Sequence, residues 1–301
     1  MTVLVTGGSG FIGSHIVDKL LERGEDVVIF DFVQPRYWDH IKHFYGSILN
    51  LDELERAMQD VDTVYHLAAI ADVKDVFEHP HYSERVNTSG TLNVLEAARK
   101  MEVGRVIYGS TDWVYQTTDT DSVDETTPIR TPAHLYSSTK LASEYYCQNY
   151  GDLYGVKYTI LRYGIPYGPR ARAGAIVPIF VDKALKGEEL TIAGDGSQFR
   201  QFIYVEDLAI GNVAALQKVA ENKIYNIDGQ RPITVREVAE TVMKVTGKKV
   251  GIRYVPVRPG DFRGKEVSSE RAKRELNWEA TTSFEDGVKK YLEWLKGNKT
   301  T

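Results

Sequence analysis

Residues 136–140 read Tyr-Ser-Ser-Thr-Lys. On a helix, Tyr136 and Lys140 stand one turn apart on the same side. A free tyrosine titrates near pH ~10 and is a poor base at neutrality. A lysine ammonium close to its oxygen, together with a second cation in a dry cleft, would favour the phenolate. Bringing the pKa down by about 3 units needs roughly 4 kcal/mol of differential stabilisation. Such a pair is suited to moving a hydroxyl proton. Residues 108–115, "YGSTDWVY", add a second set of reactive groups, with Ser110, Thr111 and Asp112 at the end of an apolar run and Trp113 beside them. An indole cannot act as a base.

The third chemical feature is "VLVTGGSGFIGSH" at 3–15. Gly7, Gly10 and Gly13 are spaced three apart, and Gly8, Gly10 and Gly13 also satisfy GxGxxG. One glycine permits a tight turn, one lets a pyrophosphate approach the backbone, and one lets a helix pack against the preceding strand. The helix that begins around Phe11 then presents free N–H groups and its positive end to the phosphates. Asp31 ends the next apolar run, "VVIFDF". It is placed to accept from both ribose hydroxyls of an adenosine and would repel a 2′-phosphate, which favours NAD over NADP.

These groups need a scaffold. Short β-branched runs at 3–6, 27–31, 63–67, 105–108 and 157–162 alternate with helical-period segments at 14–23, 51–58, 90–100 and 136–154. That order predicts an α/β fold, a Rossmann-like doubly wound parallel sheet with helices on both faces. Beyond residue 162 the rhythm breaks. Residues 164–174 read as a loop, followed by helices at 176–186 and 235–246, strands at 224–227 and 251–255, and a last helix at 284–296. The expected division is an NAD-binding domain from 1–165 plus about 202–228, with a smaller C-terminal substrate-binding lobe from about 166–201 plus 229–301.

The composition is that of an ordinary globular chain, with 301 residues, 42% hydrophobic and 26% charged. Net charge is −5 with both signs interleaved, and no basic stripe suggests a nucleic-acid surface. Cys147 is the only cysteine, and the seven histidines form no ligand pair at helical spacing, so no metal site is expected. No apolar run approaches a membrane span and no signal-like leader precedes residue 3, so a cytoplasmic location is expected.

In order along the chain, the glycine loop, Asp31, "HLAA" (66–69), "NTSGTLNVLEAAR" (87–99), "STDWVY" and "YSSTK" resemble the extended short-chain dehydrogenase/reductases. "GDGSQFRQFIYVEDL" (194–208) and "RPGD" (258–261) resemble its nucleotide-sugar branch, typified by the UDP-glucose 4-epimerases. The resemblance implies NAD bound along Gly7, Gly10, Phe11, Ile12 and Gly13, with Asp31 on the ribose. Ser47 and Ile48 fall where the family has an Asp-Ile pair near the adenine. Leu67, Ala68, Ala69 and Asn87 match segments that line the cofactor. Thr111 matches the catalytic Ser or Thr, and Tyr136 and Lys140 match the acid/base and its helper. Asp112, Arg200, Arg258 and Asp261 are implied on the substrate side, where an arginine can fork onto phosphate. Gln201 and Ile165 stand where the family carries Asp and Asn. A homodimer through paired helices, with 136–154 as one of them, is also implied.

The family's 4,6-dehydratases carry Thr-Asp-Glu where this chain has Thr111-Asp112-Trp113, and the related decarboxylases keep the Glu. With that base gone, the resemblance implies a nucleotide-sugar 4-epimerase, most simply on a UDP-hexose. In it Thr111 relays the proton of the sugar hydroxyl to Tyr136. A 4-keto-sugar reductase or sugar dehydrogenase using NAD(P)H is the alternative, followed by a dehydratase and then by an NAD-binding regulator without catalysis.

Overall fold

A computed structural model describes residues 1–257 and 263–298. The chain opens as expected, with β1 (Thr2–Thr6), α1 (Phe11–Glu22) and β2 (Asp26–Asp31). β3 (Lys42–Tyr45), α2 (Leu51–Ala57) and β4 (Thr63–His66) follow. After them come two short helices, α3 (Val73–Glu78) and α4 (Pro80–Glu84), a π-helical turn at Arg85–Ser89, and α5 (Gly90–Lys100). β5 (Arg105–Thr111) then leads through β6 (Ser122–Val123) to the long helix α6 (Leu135–Tyr154) and β7 (Tyr158–Tyr163).

β1, β2, β3, β4, β5 and β7 lie in one parallel sheet. It is completed by a strand from much later in the chain, Lys223–Ile227 (β11), giving the order β11-β7-β5-β4-β1-β2-β3. All seven residues of β5 are buried, because helices cover both faces. On one face α1 packs over Val3, Val5, Tyr65, Ile107 and Leu161; on the other α2, α5 and α6 cover Leu4, Val28, Val64, Val106 and Ile160.

The later chain holds β8 (Ile165–Tyr167), α7 (Ile176–Lys186), β9 (Leu190–Ala193), β10 (Phe199–Tyr204), α8 (Val205–Ala214) and β11 (Lys223–Ile227). It ends with β12 (Pro232–Thr234), α9 (Val235–Thr246), β13 (Ile252–Val255), β14 (Glu266–Val267), α10 (Glu270–Leu276) and α11 (Phe284–Asn298). β8, β10 and β12 form a three-stranded sheet, and β13 pairs with β9. A third core, built on Tyr167, Phe180, Phe202 and Tyr291, fills the space beneath them.

Two expectations need correction. Residues 165–167 are a strand, where 164–174 reads as loop: Gly and Pro disguise a segment whose partner, β10, lies 37 residues downstream in the register Ile165↔Phe202. β3, with its half-polar "KHFY", is an edge strand that no apolar run announces. Among the described residues no helix is long and apolar enough to cross a membrane, and no group of three or more His, Cys, Asp or Glu could hold a metal ion.

Candidate active site

The glycine loop joins β1 to α1. Gly7 has φ +72°, and a Cβ there would lie 2.7 Å from the Ala68 nitrogen. A Cβ on Gly13 would lie 2.2 Å from the Gly7 carbonyl oxygen, so only glycine lets α1 start this close to the turn. Gly10 is exposed and a Cβ there would meet only the Gly7 oxygen, at 3.2 Å. Gly10 is also the N-cap of α1 and offers no side chain to the helix, so the N–H groups of Phe11, Ile12 and Gly13 face an open, glycine-floored concavity. This cradle fits a dinucleotide pyrophosphate.

Asp31 is buried at the end of β2. Its Oδ2 accepts from the Ser9 N–H at 3.1 Å and its Oδ1 from the Val33 N–H at 3.0 Å. The carboxylate therefore braces the loop and is held rigidly, with lone pairs left for ribose hydroxyls. Ser47 donates its N–H to Glu53, and Ile48 is buried against Gly90. The Leu67 and Ala68 N–H groups both donate to Thr6 Oγ1 at 3.3 Å. Asn87, on the π-helical turn, grips Ile70 through both amide atoms and donates to Thr139 Oγ1 at 3.1 Å. Leu67 and Ala68 are thus tied to β1, and Asn87 ties the segment after β4 to α6, with Ala69 between them in the chain.

Thr111 is the last residue of β5, and Tyr136 sits in the first turn of α6. The two side chains converge, and the Thr111 hydroxyl favours ionisation of both Tyr136 and Asp112. Burial, followed by the negative charge of Asp112, nevertheless pushes Tyr136 up to about 12. Lys140 is fully enclosed, its Nζ 4.2 Å from the centre of the Tyr108 ring, and burial pushes it down to about 7. The two residues do share a helix side, but the lysine ammonium lies over that ring. The lowered tyrosine expected from a lysine and a second cation together requires that second positive charge, which the protein's own residues do not supply strongly enough to offset burial.

Trp113 lies edge-on to His134, with ring centres 5.2 Å apart. His134 caps α6 by accepting from the Ser137 N–H and stacks on Tyr136 at 6.3 Å. The indole therefore helps fix the helix start that carries the tyrosine. Arg200, on β10, faces Asp112 and favours its ionised form. Arg258 and Asp261 lie outside the described residues. Ile165 packs against the third core. Gln201 is buried and bridges three segments, donating to the Gly229 and Val267 carbonyls at 3.2 and 3.0 Å and accepting from the Val267 N–H.

Two groups escape the sequence reading. The first is a buried chain beneath the site. Ser110 donates to Glu144, Arg162 forks onto the same carboxylate with Nη2 at 2.6 Å, Arg162 Nη1 donates to Tyr115, and Tyr115 to Asn226. It ties β5, α6, β7 and β11 together at the sheet's carboxyl edge. Its signal in the sequence is an arginine inside the apolar run "YTILRY". The second is Asp228, 1% exposed, just beyond β11. Its signal is a carboxylate closing the apolar "IYNID".

Comparison with known proteins gives the same frame. A family model described as the NAD dependent epimerase/dehydratase family matches residues 3–228. The crystal structure of a Thermotoga maritima UDP-glucose 4-epimerase with UDP-glucose superposes with TM-score 0.94 at 34% identity, covering 99% of each chain. That of a Thermus thermophilus UDP-glucose 4-epimerase with NAD gives 0.91 at 34%, again covering 99% of each. A UDP-N-acetyl-α-D-glucosaminuronate decarboxylase of Bacillus cytotoxicus is 33% identical over 97% of each sequence, so likeness at this level spans more than one reaction. With the glycine cradle, the braced Asp31 and a match over three quarters of its length, this chain belongs to the NAD-dependent epimerase/dehydratase family of extended short-chain dehydrogenase/reductases.

Proposed function

We propose that this enzyme is a nucleotide-sugar 4-epimerase acting on a UDP-hexose through a transient 4-keto sugar. The observation that carries the proposal is the meeting of Thr111 and Tyr136 at the carboxyl edge of the sheet, with Trp113 packed on His134 beside them. A proton carrier is present, and an indole stands where elimination and decarboxylation in this family use a carboxylate. The relatives with UDP-glucose and with NAD support the same substrate class and cofactor.

When bound, NAD supplies the hydride acceptor, the donor for its return, and a positive ring that favours the Tyr136 phenolate. The chain's own residues do the rest. Gly7, Gly10, Phe11, Ile12 and Gly13 hold the pyrophosphate, Asp31 takes the adenosine ribose, and Ser47 and Ile48 border the adenine. Leu67, Ala68, Ala69 and Asn87 line the nicotinamide half, and Lys140 holds its ribose. Tyr136 removes the proton of the sugar's 4-hydroxyl and later restores it, and Thr111 orients that hydroxyl. Arg200, Arg258 and Asp261 bind the nucleotide diphosphate and its ribose. In this scheme residues 1–165 and about 202–228 serve NAD, and about 166–201 and 229–301 serve the sugar nucleotide. Tyr145, Leu153 and Tyr154 leave apolar surface on α6, which suits a homodimer; a single monomeric species in sedimentation would remove that part.

The test is turnover of UDP-glucose and UDP-galactose by purified enzyme with no added NAD(H). Steady interconversion is expected. A one-for-one demand for reduced cofactor would instead assign a 4-keto-sugar reductase.

A further inference from the structure

Three adjacent strands end in step. Thr111 of β5 aligns with Tyr163 of β7, and Tyr163 aligns with Ile227 of β11. The residues that follow these strand ends are Asp112, which opens a short 3-10 turn (Asp112–Tyr115), Gly164 and Asp228. Neighbouring strands lie about 4.8 Å apart, so the two aspartates flank a position that has no side chain. That gap is used: a Cβ on Gly164 would lie 1.9 Å from Asp228 Oδ1. The Asp228 side chain thus lies across the glycine, in the direction of Asp112.

Each carboxyl is also incompletely paired. Asp228 Oδ1 accepts the Gly229 N–H at 2.8 Å, while Asp228 Oδ2 and Asp112 Oδ1 are both buried without a hydrogen-bond partner. Two acids in one dry pocket cannot both ionise cheaply, and a proton held between them satisfies an orphaned oxygen on each side. Burial followed by the Asp112 charge pushes Asp228 well above the ordinary carboxylate range, and burial pushes Asp112 up to about 7. Arg200 is the cation facing Asp112, Arg172 faces Tyr136, and the Thr111 hydroxyl touches the electrostatics of both Asp112 and Tyr136.

We propose that Asp112 and Asp228 form a carboxyl pair that keeps one shared proton at neutral pH, and that this pair exchanges a proton with Tyr136 through the Thr111 hydroxyl. For the catalytic step this rests on the epimerase assignment; the shared proton does not. When the sugar hydroxyl is deprotonated, its proton goes to the phenolate oxygen of Tyr136. To become phenolate beforehand, Tyr136 gives its own proton to Thr111 Oγ1, which gives its proton to the ionised Asp112. Reversal of both transfers leaves no net proton gained. Asp228 touches no reacting atom; it is a positioning residue that holds the proton which keeps Asp112 the more acidic of the two.

Infrared spectra of the purified full chain at pH 8 test the pair. A protonated carboxyl band is expected in the natural protein and absent in Asp228→Asn. No such band in the natural protein, or its survival in Asp228→Asn, overturns the pair. Gly164→Ala provides a second variant: its methyl must displace the Asp228 carboxyl, so the band should shift or vanish, and an unchanged band counts against the geometry. The link to Tyr136 is read from tyrosinate absorbance, taken as the difference from Tyr136→Phe. Asp112→Asn should lower the ionisation midpoint of Tyr136 by about one pH unit, and an unmoved midpoint overturns the link. With a UDP-hexose, turnover should fall on the acid side of neutrality, and that limb should be missing in Asp112→Asn; a limb that persists unchanged overturns the relay. If no sugar nucleotide turns over, the activity assignment fails while the two spectroscopic results still decide the pair and its link.

Discussion

At the scale of single residues, the protein places a phenol and an amine where each has an unusual titration, and the consequences are measurable. Tyr136→Phe removes the proton carrier but leaves the cradle intact. Turnover should fall by about two to four orders of magnitude while the variant still co-purifies with or binds NAD; a loss of less than tenfold would mean another group moves the proton. Lys140 offers a test of a different kind. Its folded-state pKa is depressed to about 7 by burial, so between about 7 and the ordinary lysine value the folded protein binds fewer protons than the unfolded chain. Stability therefore rises with pH across that window, and the full cost of burying Lys140 is felt below it. Three to four pH units at about 1.4 kcal/mol each set that cost on the order of 5 kcal/mol. Lys140→Met should accordingly raise the unfolding free energy by a few kcal/mol more at pH 6 than at pH 10, at the expense of catalysis. Denaturant titrations at the two pH values check it, and an equal gain at both would place the lysine's charge in solvent.

At the scale of elements, the glycine loop and the sheet it crowns are legible in the chain because their physics is local. β1 is a short continuous apolar run, α1 follows it directly, and the glycines between them satisfy steric demands that act within a few residues. Gly13→Ala should therefore be costly: its Cβ meets the Gly7 carbonyl oxygen at 2.2 Å, and the start of α1 must back away from β1. Loss of NAD retention is expected, with the spectrum of the rest of the fold largely preserved; full retention would mean that the turn relaxes without moving the helix. Other elements depend on partners far along the chain. β8 exists because β10 pairs with it, and β3 because the sheet needs an edge. Thr111, Tyr136 and the cradle glycines could be named from motifs that keep their order. Asp228 could not, since it faces Asp112 only after β11 crosses back to pair with β7. The Arg162–Glu144 pair is marked only by an arginine inside an apolar run, and nothing near it in the sequence names Glu144 as its partner.

At the scale of the whole molecule, a buried acid is one of the ties between the large sheet's helical layer and the C-terminal segments. Asp207, in the first turn of α8, accepts from the Thr281 and Thr282 N–H groups at 3.1 and 2.7 Å, and from both hydroxyls at 3.2 and 3.1 Å. Its own carbonyl accepts from Trp278 Nε1 at 3.0 Å, and that indole packs on Gly211 in the same helix. α8 packs on α1, so this cluster connects residues 278–282 to the layer that starts the dinucleotide cradle. Asp207→Ala leaves two partly buried N–H groups without their acceptor, and each such loss costs at most about 1–3 kcal/mol. Non-additivity and partial rescue by water hold the expected total to about 2–4 kcal/mol. The sheet itself loses no contact. Amide exchange should therefore quicken first in residues 278–284 and in α11, while β1, β4 and β5 keep their protection until global unfolding. Uniform acceleration across the sheet would show instead that the C-terminal segments and the cradle unfold as one unit, and that Asp207 supports the entire molecule.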